Sequence, residues 1–255
     1  MRAVLPLAIA VAAGLTACAA EEDHGPFRPG GGGNGGGSSP GGDARPIDAP
    51  PGDGGGALTG RVCVVTDLRA PDACPVVASQ AGVTVSLLGS TASTASGADG
   101  RFTLPVSSAT VVLDAAAGSP TFERAIVPAT VGGVVDTPVV TRAAYAAVLG
   151  SLGTVVPDGG GAVVAYVVDD ASPATGVAFA TIAGSSLAPF YDNGGATAWT
   201  QSGGTGAAGV ALLVDVPAGS VQLDGTAPDA RVARVTVPVV ADAITFVEIA
   251  LAAPP

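Results

Sequence analysis

The chain has 255 residues, only 12% of them charged and 4% aromatic, and a formal net charge of -11 from 21 acidic and 10 basic side chains. All 10 basic residues are arginine, scattered along the chain, which argues against nucleic acid as a partner because phosphate contacts need clustered cations. The abundance of Ala, Val, Gly, Thr and Ser predicts small β domains with faces built from β-branched side chains, and few long amphipathic helices.

Met1 and Arg2 give a positive start, and residues 3–15 are almost wholly apolar. That run is too short to rest in a bilayer as a permanent span, but it has the length and flanks of an export signal. It ends in Leu15-Thr16-Ala17-Cys18, which resembles a bacterial lipobox. The resemblance implies cleavage before Cys18, loss of the signal peptide 1–17, lipidation of Cys18, and a membrane as first partner. Ala19, where the enterobacterial sorting rule would read Asp as retention, implies the outer membrane or the cell surface. Residues 18–56 carry Glu21, Glu22, Asp23 and a glycine run from Gly30 to Gly37, a composition that cannot bury a core. They predict a disordered tether with a reach on the order of 35 Å.

Cys63 and Cys74 remain as an even pair in the part beyond the tether, and in an exported chain such a pair predicts a disulfide stabilising by about 2 to 3 kcal/mol. A metal site there would need more ligands, yet the chain's one histidine, His24, lies in the tether. No metal and no cofactor are expected. Residues 58–65 read as a first strand. Val83, Val85 and Leu87 alternate with Thr84 and Ser86, so one strand face is buried and the other wet. Ser96-Gly97-Ala98-Asp99-Gly100 supplies a turn, the alternation resumes over residues 101–106, and residues 111–113 continue it. The order Gly60-Arg61-Val62, then Ala81-Gly82-Val83-Thr84-Val85, then Asp99-Gly100-Arg101-Phe102 resembles the carboxypeptidase regulatory-like domain. Over residues 57–140 that resemblance implies a small transthyretin-like β-sandwich, a spacer or stability module without peptidase activity.

Thr141 can cap, and Ala143, Ala144, Ala146 and Ala147 can build, a helix of about two turns ending at Gly150, so residues 141–152 predict a helical linker. The second part, 153–255, echoes the first. Gly161-Ala162-Val163 parallels Gly60-Arg61-Val62, Gly176-Val177 parallels Gly82-Val83, and Gly209-Val210-Ala211 parallels Gly100-Arg101-Phe102, an internal repeat. Gly82 and Gly100 are 18 positions apart whereas Gly176 and Gly209 are 33 apart, which places an inserted loop at about 183–206. The fold class expected is all-β: two tandem transthyretin-like or Ig-like β-sandwich modules joined by a short helix, after a signal peptide and a Gly/Pro-rich tether.

Ser-His-Asp catalysis is excluded because no histidine follows the tether, and no lysine can serve as base. Most aspartates sit beside Gly, Pro or Asn, where turns place them, and Asp169-Asp170 lacks the oxygen-ligand spacing of a calcium loop. The inserted loop holds the ligand-binding candidates Tyr191, Asp192, Asn193, Trp199 and Gln201. Either they stack on a sugar ring and bond its hydroxyls, or Phe190 and Trp199 fold back and plug one end of the sandwich. The expectation is a non-enzymatic envelope protein, structural or spacer in role, with a polysaccharide or protein partner through that loop as the alternative.

Overall fold

The computed structural model describes residues 56–70, 74, 76–156, 159–195 and 198–252, all within one compact unit. Cys18, the expected signal peptide and the expected tether up to residue 55 lie outside the described residues. The first half forms β1 (Gly56–Val64), β2 (Thr84–Leu87), β3 (Ser93–Ala95), β4 (Arg101–Val106), β5 (Thr110–Ala115), β6 (Arg124–Thr130) and β7 (Val134–Val139). Strict alternation makes β4 a one-sided strand, with Phe102, Leu104 and Val106 buried and Arg101, Thr103 and Pro105 exposed. β1 lies between antiparallel β4 and parallel β7, while β6, β5, β2 and β3 form an antiparallel run. Gly56, expected to close the tether, is already the first residue of β1.

Helix α1 (Arg142–Ser151) follows, and Thr141 caps it through an Oγ1 that accepts the Ala144 N–H at 3.2 Å. The helix runs through Gly150 rather than ending there. Leu152 closes it, because Gly153 and not Gly150 takes the left-handed φ of 65° that ends a helix cheaply. Tyr145 is buried, with Val148 and Leu149 packed beside it, so the helix is held by its contacts and not by its length.

The second half forms β8 (Gly160–Asp169), β9 (Ser172–Pro173), β10 (Ala178–Phe179), β11 (Phe190–Tyr191), β12 (Val210–Pro217), β13 (Gly219–Thr226), β14 (Val232–Val239) and β15 (Ala243–Ala250). It repeats several of the hydrogen bonds of the first half. Val62 N–H donates to Gly100 O as Val167 N–H does to Gly209 O, and Gly100 N–H bonds Gly97 O as Gly209 N–H bonds Gly206 O. The Ser96 hydroxyl joins Gln80 O to Val83 N–H, and the Thr205 hydroxyl joins Ala174 O to Val177 N–H. These bonds correct one part of the repeat as read from sequence, since the partner of Val62 is Val167 and not Val163. With that offset of 105, β1 corresponds to residues 161–169, so the Gly161-Ala162-Val163-Val164 run of β8 matches Gly56 to Thr59 and not Gly60-Arg61-Val62.

The halves also share a sheet. β15 lies parallel to β8 on one side and, through Ala243, Ile244 and Thr245, parallel to β6 on the other. The resulting nine-stranded sheet carries strands of both halves in the order β11-β12-β8-β15-β6-β5-β2-β3, with β9 beside β8. Along β8, Ala162 and Val164 join the core with β1 and β4, whereas Val163, Ala165 and Val167 join the core with β13 and β14. A strand buried on both faces reads as a continuous apolar run, which explains the unbroken Ala-Val-Val-Ala of β8.

Candidate functional site

The enlarged loop begins after β10. The Ser96-to-Val83 bond spans 13 residues and the matching Thr205-to-Val177 bond spans 28, so the second half carries 15 extra residues there. In the first half the corresponding stretch forms β3, which pairs with β2. In the second half it crosses to the other sheet and forms β11 against β12.

Phe190 and Tyr191 are both buried, and Phe190 belongs to one core with Val210, Leu212 and Val214, against which Leu187 and Trp199 pack half-buried. The Tyr191 hydroxyl accepts the Phe179 N–H at 2.8 Å and donates to Phe179 O at 3.3 Å, clamping β11 to β10. Burial pushes that hydroxyl above its ordinary pKa, against the lowering effect of the Phe179 hydrogen bond. Asp192, 8% exposed, accepts three backbone N–H groups, from Gly206 at 2.5 Å, Ala208 at 2.7 Å and Val210 at 3.1 Å. Its carboxylate is thereby committed to holding the loop's return.

Asn193 and Gln201 are exposed, and each is tied to loop backbone: the Asn193 amide donates to Ser202 O at 2.7 Å and the Gln201 amide to Ala188 O at 3.2 Å. The Thr200 hydroxyl donates to the Asn193 side-chain oxygen. Of the five candidates, then, Tyr191 and Asp192 turn inward, Asn193 and Gln201 brace the loop at its surface, and Trp199 lies half-buried. Residues 196 and 197 of the same loop lie outside the described residues.

The loop is also tied to the first half. Cys63 and Cys74 form a disulfide with a Cα separation of 5.6 Å. Arg61 Nη2 holds the same turn by donating to Cys74 O at 2.5 Å and to Asp136 Oδ1 at 3.1 Å. Inside the disulfide loop, Leu68 is buried in the core that contains Phe190, and Arg69 reaches Gly195 O at 3.4 Å. Composition and spacing did not single out Arg69 or Leu68. The signal that marks the base of the insertion is Thr205-Gly206-Ala207-Ala208-Gly209, which matches Ser96-Gly97-Ala98-Asp99-Gly100 in its hydroxyl and both glycines.

Elsewhere, Asp169 accepts a two-pronged bond from Arg231 at 2.7 and 2.8 Å, and Asp229 accepts another at 2.7 Å. The guanidinium holds both carboxyls below their usual range. Among the described residues no group of three or more His, Cys, Asp or Glu could hold a metal ion, and no helix is long and apolar enough to cross a membrane.

No protein-family model matches the sequence, and a search of curated proteins finds no match. Among solved structures the chain is similar to the shaft pilin SpaA from Lactobacillus rhamnosus GG, at 11% identity over 79% of this chain and 99% of the pilin, with a TM-score of 0.25. It is also similar to the Bacillus anthracis TIE protein, at 10% identity over 76% of this chain and 34% of that protein, with a TM-score of 0.22.

Proposed function

We propose that the protein is a lipid-anchored component of the bacterial cell envelope, attached through Cys18, carrying a non-enzymatic structural or spacer head. In this reading residues 18–56 are the tether, and the head is a duplicated sandwich of the transthyretin-like, carboxypeptidase regulatory-like kind. The observation that carries it is the inward use of the polar side chains best placed for chemistry: Tyr191 and Asp192 are satisfied by backbone in the enlarged loop. A group so committed stiffens a body instead of reading a ligand. The repeated hydrogen bonds and the shared sheet add to the same picture of a stiff β head.

Metabolic labelling with an alkyne palmitate tests the anchor. Wild type is expected to take label and fractionate with membranes, and Cys18→Ala to lose both; retained label would remove the premise. A second reading, a carbohydrate- or protein-binding module, draws on the exposure of Asn193 and Gln201 beside half-buried Trp199. It expects polysaccharide binding that Trp199→Ala abolishes while the fold stays intact.

A further inference from the structure

β15 pairs with β6 only over Ala243–Thr245, opposite Arg124–Ile126, whereas its ladder with β8 runs on to Ala250 opposite Val168. Past Thr245 the two strands part like the prongs of a fork. Pro128, on the β6 prong, has no N–H to offer a neighbour and so cannot extend the ladder. Between the prongs opens a cavity of about 360 Å³, with Val127 and Pro128 on one side, Phe246, Val247 and Glu248 on the other, and Val135 of β7 in its wall. Among the described residues nothing pairs with the β6-facing backbone edge of residues 246–250. An open strand edge beside an apolar bed is a template for one more strand.

The charge of the cavity selects what that strand can be. Its charged lining consists of Asp136 and Glu248, both acidic, and Asp136 is already paired with Arg61 at 3.1 Å. Glu248 is exposed and makes no ion pair among the described residues. A second copy is a poor occupant, since two chains of net charge -11 would meet with their Glu248 side chains at one seam. The tether sequence, 19–55, is a poor one too, for it contains no run of alternating β-branched side chains. Glu248 and Pro128 thus discourage self-pairing and leave the edge open to a cation-bearing strand.

We infer that the fork between β6 and β15 takes up an extended, lysine- or arginine-bearing segment of a partner protein as an added strand on residues 246–250. The inference rests on the β head and is independent of the lipid anchor and of the enlarged loop.

The test is hydrogen exchange of the full chain with and without the capped hexapeptide acetyl-TVKVTV-amide at about 1 mM, against acetyl-TVEVTV-amide as control. With the lysine peptide, exchange at the amides of Phe246, Glu248 and Ala250, which face the open edge, is expected to slow about tenfold. The glutamate peptide should bind about two- to five-fold more weakly, the range of an exposed ion pair, and Glu248→Lys should reverse that order. Unchanged exchange with the lysine peptide would overturn the inference. So would an unchanged peptide preference in Glu248→Lys, or self-association of the chain that already protects this edge.

Discussion

Asp192 shows how residue type and residue role part company. An Asp-Asn pair next to aromatics in a long loop has the chemistry of a sugar-binding patch, yet its carboxylate accepts three backbone N–H groups in a site 8% exposed. Asp192→Ala would strand those donors away from water, at a cost of about 3 kcal/mol, and Asp192→Asn, which keeps one acceptor, about half that. Urea unfolding at constant m-value checks both, and a loss below about 0.5 kcal/mol for the alanine variant would contradict the cradle. Nothing in the sequence distinguishes inward Asp192 from outward Asn193, because neighbouring loop residues obey no period. Arg231 carries a second prediction at this scale. Asp169 and Asp229 have folded-state pKa values depressed by its guanidinium, so their contribution is present above the unfolded value of about 3.9 and is lost as pH falls through the lower folded values. The melting-temperature gap between wild type and Arg231→Gln should therefore be widest from about pH 5 to 7 and close in stronger acid; a gap that widens in acid would show the opposite sign.

Among the elements, those with a strict period were legible and those without one were not. The alternation of β4, the turn at Gly97 to Gly100, the alanine-rich α1 and the disulfide pair could all be read from residues. Gly100 illustrates why: its φ is 75°, and an added Cβ would sit 2.7 Å from Val62 O, so only glycine fits. β11 was invisible, being two residues long and fixed by Tyr191 against a distant backbone. β6 and β7 are hard to read because Pro128 and Pro138 interrupt runs that would otherwise read as strands. The disulfide links the legible to the illegible, since it closes the loop that delivers Leu68 to the core of Phe190 and Arg69 to Gly195. Replacing both cysteines by serine is expected to lower stability by about 3 kcal/mol, the loop-closure value for a sequence separation of 11. Hydrogen exchange should rise in residues 65–70 and 190–195 by more than in β13 and β14, whose amides follow only the loss of global stability. Exchange that rises equally everywhere would mean the disulfide acts only through the unfolded chain.

At the scale of the whole molecule, two repeats in sequence need not make two independent bodies. β8, β12 and β15 each send alternate side chains to opposite cores: Val164, Leu212 and Phe246 to one, Val163, Leu213 and Val247 to the other. Neither core can close without this middle layer, and the layer is continued into the first half by the β15-to-β6 pairing. Melting one half would expose an apolar face of the other, which makes partial unfolding costly. The chain should therefore unfold in a single calorimetric transition, with calorimetric and van't Hoff enthalpies in agreement. Val163→Ala and Val164→Ala, one facing each core from adjacent positions of a single strand, should each lower that transition by about 2 kcal/mol without splitting it. Separate modules on a linker would instead give two transitions, with each substitution moving only one.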